Sequence, residues 1–291
     1  MAKPRITVVT PTARLGGIDC LAWSLRNQTF KDFELIVVDE LYKKRGRVVE
    51  EYLSSYGIDV KVLPSKPKKM RYKVASSLNV AIDHANGELI VVVEDYPILT
   101  NSNLLEQYWN LYQKFNNTFF TGPRHRVFWR SNIKDLEKVG EEELYISIFD
   151  KPLEEILRCV EFEITWVDPR VNLLGTESKF VGECCHLHVS NAAIPMKIVE
   201  DVGGFDEDYD GCHGMHDFDF EFRARVLGYK LYWCFECFSL EFDHRYIFRD
   251  YMPWEHGEEK LRNVKLFEEK KRRIMSGLES PRLNYVKRRV A

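Results

Sequence analysis

The sequence predicts an α/β fold built on a mostly parallel sheet with flanking helices. Three observations carry that expectation. Short runs of apolar, β-branched residues recur, each ended by a polar or acidic residue. Between them lie stretches with apolar residues at helical spacing, several closed by glycine. The order strand, helix, strand, helix holds from residue 6 to residue 93, and such alternation implies parallel strands with crossover helices on both faces. At 291 residues the chain has room for one large domain or two smaller ones sharing a cleft.

Residues 6–9 form a buried parallel strand ended by Thr10-Pro11-Thr12. Gly16-Gly17 punctuate a loop, and Asp19 is placed to cap a helix with Leu21, Ala22 and Leu25 on its inner face. Residues 33–38 are the second strand, with Asp39 at its carboxyl end. A helix follows over residues 48–56, closed by Gly57, then a short strand over residues 60–62. Lys66, Lys68, Lys69, Arg71 and Lys73 make a basic loop. Residues 74–85 are helical, with Val74, Leu78, Ala81 and Ile82 as the apolar stripe, and Gly87 stops them. Residues 89–93 are the most strand-like run, followed directly by Glu94 and Asp95. A helix spans residues 102–115. Within residues 116–180 only Phe119-Phe120 and residues 127–129 read as strands, and residues 137–143 as an acidic turn or helix. Residues 191–195 lead into a helix over residues 196–202. Residues 230–234 and a segment ending at Phe242-Asp243-His244 read as strands, and residues 255–275 as a charged helix before a basic tail.

In open α/β sheets ligands bind outside the carboxyl ends of the strands. Thr10, Asp39, Glu94 and Asp95 stand at such ends on three strands and are expected to converge on one crevice. A second chemical stretch is VGGFDEDYDGCHGMHDFDFEFR, residues 202–223. Its glycines permit tight bends between Asp206, Glu207, Asp208 and Asp210. Asp217 and Asp219 stand at the mouth of the helix that follows, where Phe218, Phe222, Arg225 and Val226 fall on helical spacing and Arg223 turns aside. The calcium-loop spacing of an EF-hand is absent. A carboxylate fixed at a helix start and facing a cleft is suited to general-base work, which makes Asp217 the candidate and adjacent His216 its competitor.

A net charge of −3 argues against a dedicated nucleic-acid binder. Seven cysteines at irregular spacing, with nothing resembling a targeting segment ahead of the first strand, read as free thiols in a reducing compartment. Cys234 and Cys237 fall in a strand-like segment that turns their thiols to opposite sides, which weakens a zinc reading. No apolar run reaches the ~18 residues of a membrane span. The expected location is the cytoplasm, with a peripheral place at a membrane left open. Neither a dinucleotide fingerprint nor a P-loop is present.

Two blocks then carry a resemblance. The first is ITVVTPT, SLRNQTFKDFELIVVDE and LNVAIDHANGELIVVVED, and the second is NAAIPMKIVEDVGGFDE followed by HDFDFEFRARVLGYK. Together they resemble the family 2 glycosyltransferases of the GT-A fold over residues 5–97 and 189–246. The resemblance implies a Rossmann-like sheet with a nucleotide-sugar-binding half (1–100), an acceptor-binding and catalytic half of the same domain (101–250), and a charged C-terminal helix and tail (251–291). It implies a nucleotide-diphospho-sugar donor, UDP-linked in preference to GDP-linked, and inverting transfer to an acceptor hydroxyl on a glycan, lipid, protein or modified nucleic acid.

Residue by residue, the resemblance assigns Thr10, Pro11, Thr12 and Asp39 to the nucleotide and Asn79 to the sugar diphosphate. Glu94-Asp95-Tyr96 falls in the D-x-D slot, and Asp217 matches the base. His244 matches a histidine of the metal or diphosphate site. Arg71 and Lys73 are the candidate diphosphate contacts of the basic loop. A divalent cation, Mn2+ or Mg2+, is implied at Glu94, Asp95 and His244. Two positions depart from the pattern: Tyr96 stands where the last acid of the D-x-D belongs, and His216 replaces the usual Glu before Asp217. The alternatives are a catalytically silent sugar-nucleotide or glycan-binding protein and a nucleotidyltransferase of related fold. Asp39→Ala is expected to weaken UDP binding and leave the fold intact. Donor sugar, acceptor and oligomeric state are not set by the sequence.

Overall fold

The computed structural model describes residues 3–67, 73–93, 96–98, 101–183, 186–243 and 257–284, the side chains of residues 257–260 apart. The expected alternation is present as β1 (Ile6–Thr12), α1 (Ile18–Arg26), β2 (Phe33–Asp39), α2 (Tyr42–Ser55), β3 (Val60–Pro64), α3 (Val74–His84) and β4 (Leu89–Val93). These strands are parallel, and Thr12 pairs in register with Asp39, which pairs in turn with Pro64. Their continuous apolar runs follow from burial on both faces. Val8, Leu35, Val37 and Val91 pack under α1 and α2, while Val9, Ile36, Val38 and Val92 pack under α3.

The chain continues as β5 (Pro97–Ile98), α4 (Leu104–Lys114), β6 (Thr118–Thr121), β7 (Arg124–Phe128), α5 (Leu153–Cys159), β8 (Glu163–Trp166), α6 (Pro169–Leu174) and β9 (Lys179–Val181). After it come β10 (Asn191–Pro195), α7 (Met196–Val202), α8 (His216–Val226), β11 (Lys230–Trp233), β12 (Ser239–Phe242) and α9 (Gly257–Met275). The main sheet has the order β3-β2-β1-β4-β10-β6-β11-β9. β10 runs antiparallel between β4 and β6, so the second half of the chain completes the sheet begun by the first. A smaller sheet, β5-β12-β7-β8, stands beside it and encloses its own core of Tyr96, Trp129, Phe149 and Phe242. α9 lies on α8, with Phe267 and Ile274 against Tyr209 and Phe222.

Several expectations are corrected. Residues 191–195 lead into α7 as expected but are themselves a strand, and α2 starts at Tyr42, six residues before the expected 48. Asp19 does not cap α1: Gly17 holds the N-cap position at φ 76°, and Asp19 sits in the first turn accepting a 2.5 Å hydrogen bond from Ser147 Oγ. Arg223 does not turn aside but is fully buried, whereas Val226 is exposed. Cys234 and Cys237 do not face apart, for a tight turn brings their Sγ atoms to 2.7 Å. The cysteines among the described residues are free thiols. No helix among the described residues is long and apolar enough to cross a membrane.

Candidate active site

The carboxyl ends of β1, β2 and β3 meet in one corner, and its polar side chains are bound to one another. Asp39, fully buried, takes Arg45 Nε on Oδ2 at 2.7 Å and Arg45 Nη2 on Oδ1 at 3.2 Å. The Leu41 amide donates to Oδ1 at 2.8 Å. Arg45 also donates to Thr12 Oγ1 at 3.2 Å and to the Tyr145 carbonyl at 3.0 Å, so one guanidinium ties β1, β2 and the segment before α5 together. Asp39 and Thr12 are therefore brought together through a residue that sequence reasoning missed. Arg45 sits in the run Lys43-Lys44-Arg45-Gly46-Arg47, and nothing in that run separates the buried cation from its exposed neighbours.

Lys73 joins the same corner, with Nζ 2.9 Å from Ser65 Oγ and 3.2 Å from Glu40 Oε2. Pro11 is half-buried and Thr10 is buried, and Thr10 Oγ1 has no hydrogen-bond partner among the described residues. A buried hydroxyl without a partner is costly, and a ligand atom at the strand end would satisfy it. Arg71, Glu94, Asp95 and His244 lie outside the described residues.

Tyr96 explains one departure from the D-x-D pattern. Its backbone is left-handed, at φ 66°, and its side chain is fully buried, with the hydroxyl donating to the Leu15 carbonyl. The ring lies so close under the loop that a Cβ on Gly17 would stand 2.8 Å from it. Glycine is required there by both the contact and its own positive φ. Tyr96 thus braces the loop between β1 and α1 and offers no cation ligand. Among the described residues no cluster of three His, Cys, Asp or Glu side chains is placed to hold a metal ion.

Asn79 does not point at the corner. Its amide nitrogen donates to the Phe205 carbonyl at 2.8 Å and to Glu207 Oε1 at 3.0 Å, and its oxygen accepts from the Phe205 amide at 2.9 Å. Lys66 also contacts Glu207, and the Ser76 amide donates to Asp210 Oδ1 at 3.4 Å. The loop after α7 is thereby pinned to α3 and to the segment following β3. That loop ends at Met215, held at φ 72°, and delivers His216 and Asp217 to the first turn of α8. Asp217 is largely buried, and its Oδ1 accepts from the Phe218 amide at 3.0 Å. His216 Nε2 is buried and has no partner among the described residues.

Below Asp217, α8 is anchored by charge. Arg223 donates to Asp219 at 2.8 Å and reaches Glu279 at 3.1 Å and Asp206 at 3.5 Å. Burial pushes the Asp219 carboxyl upward even against the pull of Arg223. Glu221, fully buried, accepts the His186 and Leu187 amides, each at 2.7 Å. A further charged group lies where β6, β7 and β10 meet. Arg170 clasps Asp168, and Arg124 binds Glu241 at 2.6 Å. Although burial opposes it, Arg170 holds Asp168 below the ordinary carboxylate range. Burial, with Arg124, Arg170 and Arg126 close by, holds His188 far below its ordinary range, so it is neutral near pH 7. Arg170 donates to Thr121 Oγ1, which donates to the Asn191 carbonyl, and Asn191 pairs with Val93, so these ion pairs lie near the end of β4.

No family model matches the chain, and no curated protein matches it. Solved structures do. A mannosyltransferase from Pyrobaculum calidifontis in complex with GDP-Man and Mn2+ matches at TM-score 0.54 and 15% identity, over 83% of this chain and 57% of that one. TarS of S. aureus matches at TM-score 0.52 and 14% identity, over 94% of this chain and 42% of its own. GalNAc-T7 with UDP, GalNAc and Mn2+ matches at TM-score 0.54 and 13% identity, over 82% of this chain and 44% of its own. The chain spans about half the length of these structures. At such identities the likeness is one of fold. The chain has the GT-A architecture that its two sequence blocks resemble.

Proposed function

We propose that the chain is an inverting glycosyltransferase that moves a sugar from a UDP-linked donor to an acceptor hydroxyl. The observation that carries this is the placement of Asp217. It stands in the first turn of a helix, at the end of a loop that Asn79, Ser76 and Lys66 lock onto the donor half of a GT-A fold. Nucleotide ligands in structural neighbours, GDP-Man in one and UDP in another, support a nucleotide-sugar donor and leave the base to be tested.

In the proposed step the acceptor oxygen attacks the anomeric carbon, the bond from that carbon to the diphosphate oxygen breaks, and Asp217 takes the acceptor proton. The nucleoside diphosphate leaves with the bonding pair. Fixing the carboxylate on a helix start spares it reorganisation during proton transfer. Lys73, paired with Glu40, stands beyond the end of β3, where its charge is placed to favour the negative charge of a diphosphate. A bound divalent cation would neutralise part of that charge. The residues to which the resemblance assigns it lie outside the described ones, and Tyr96 gives it nothing.

The test is release of nucleoside diphosphate from a panel of UDP- and GDP-sugars by the full chain, with Mn2+, with Mg2+ and with chelator. Asp217→Asn should lower turnover by about 10²–10⁴-fold with donor affinity nearly unchanged. Turnover abolished by His216→Gln but kept by Asp217→Asn would transfer the role to His216. The buried Tyr96 favours one second reading, a catalytically silent nucleotide-sugar binder. Donor binding by calorimetry without release of diphosphate under any condition would establish that reading instead.

A further inference from the structure

We infer that Asn263 of the C-terminal helix is a positioning residue for the catalytic loop, an inference that rests on the reading of Asp217 as the base. The loop from Glu207 to Met215 contains one short 3-10 turn and otherwise no regular structure. Most of its carbonyls have no partner in a ladder or helix of their own, so they must find donors elsewhere or lose them at a cost.

α9 supplies the donors. Asn263, fully buried, directs Nδ2 at three carbonyls of the loop: Tyr209 at 3.0 Å, Cys212 at 3.2 Å and Gly214 at 2.9 Å. One amide group thereby gathers both ends of a six-residue arc. Its neighbour Arg262 donates to the carbonyls of Asp210 at 3.2 Å and Asp208 at 3.1 Å. Gly214 is followed by Met215 in its left-handed conformation and then by His216 and Asp217. The last carbonyl that Asn263 holds is three residues from the proposed base. Phe267 and Ile274 only fill space against Tyr209 and Phe222 and hold no loop carbonyl. Asn263 therefore does something on α9 that packing does not: it sets the path by which the chain enters α8.

A catalytic group displaced by about 1 Å through a remote change loses on the order of 10²-fold in rate. The candidate donor residues Thr10, Asp39 and Lys73 lie outside this loop, so the effect should fall on turnover rather than on donor KM. The experiment compares the full-length chain with Asn263→Ala, Asn263→Ser and Ile274→Val, a helix variant that leaves the three carbonyl bonds in place. Hydrogen exchange over residues 206–217 and transfer from the best UDP-sugar are measured on each. Expected are faster exchange and a ~10–10²-fold fall in kcat at unchanged donor KM for Asn263→Ala. Asn263→Ser, with one shorter donor, should fall between, and it stands in for the alanine variant should that one not fold. Ile274→Val should resemble the wild type in both readouts. Exchange over the loop that does not change in the Asn263 variants, or an equal loss of turnover in Ile274→Val, overturns the inference. Exchange is read without any substrate, so a wild type that transfers no sugar defeats the proposed function separately.

Discussion

Asp39→Ala separates a scaffold carboxylate from a ligand carboxylate. In the structure Asp39 and Arg45 are both fully buried and joined by two hydrogen bonds, at 2.7 and 3.2 Å. Removing the carboxylate leaves the guanidinium with two neutral acceptors, Thr12 Oγ1 and the Tyr145 carbonyl. Breaking a buried pair from one side costs about 3–5 kcal/mol, whereas an exposed pair is worth about 0–1 kcal/mol. Against a total stability of about 5–15 kcal/mol that loss would be severe. The expectation of an intact fold, reasonable for a strand-end carboxylate seen only in sequence, gives way to one of marked destabilisation. The assay is urea unfolding at pH 7 without nucleotide, on Asp39→Ala, Arg45→Met and the double variant. The double variant should lose less than the sum of the two single losses, because its two apolar side chains leave no buried charge unpaired. If Asp39→Ala stays within about 1 kcal/mol of the wild type while UDP affinity collapses, the structural argument fails and Asp39 is a ligand residue only.

Asp19 and Arg223 give two further tests. Burial raises the Asp19 carboxyl from 3.8 to about 6, although Ser147 Oγ pulls the other way. A raised folded pKa means that its stabilising contribution is complete below pH 3.8 and is lost as pH rises through about 6. Asp19→Asn should therefore match the wild type near pH 4 and exceed its stability at pH 8 by about 3 kcal/mol, read by urea unfolding at both. An equal gap at both pH values rules this out. Arg223→Met should cost about 3–5 kcal/mol, because Asp219 and Asp206 are then left in a buried site, with Lys270 on Asp206 and the more exposed Arg273 on Glu279 as the remaining ion pairs. A thermal midpoint like that of the wild type would contradict the network.

The sheet's first half was legible because a parallel strand buried on both faces must be a continuous apolar run, and residues 6–9, 33–38 and 89–93 are such runs. β8 was invisible for the opposite reason: all four of its residues are exposed or half-buried, so no alternation marks it. β10 contains two alanines and a proline, and it is its pairing with β4 on one side and β6 on the other that makes it a strand. The start of α2 is cationic and carries Gly46, which hid its first turn. In the site, Asp39, Asn79 and Asp217 were picked out as candidates by the resemblance and Lys73 by its basic loop, but their partners could not be. Tyr145 lies a hundred residues from Arg45, and Phe205 lies 126 from Asn79. Such pairings leave no period in a sequence.

The same partners decide what a substitution at each site residue can reveal. Asp39, Lys73 and Asn79 each hold a scaffold contact, so losing any of them changes folding before it changes catalysis. A dead Asn79 variant would report a displaced Phe205 as readily as a lost diphosphate contact. Thr10 and Asp217 differ. Thr10 Oγ1 has no hydrogen-bond partner among the described residues, and the Asp217 carboxylate accepts from the adjacent Phe218 amide. Removing either hydroxyl or carboxylate charge, by Thr10→Val or Asp217→Asn, breaks no long-range tie of the fold. Loss of turnover at these two positions therefore speaks to the reaction, and Asp217 is the residue on which the proposed chemistry stands or falls.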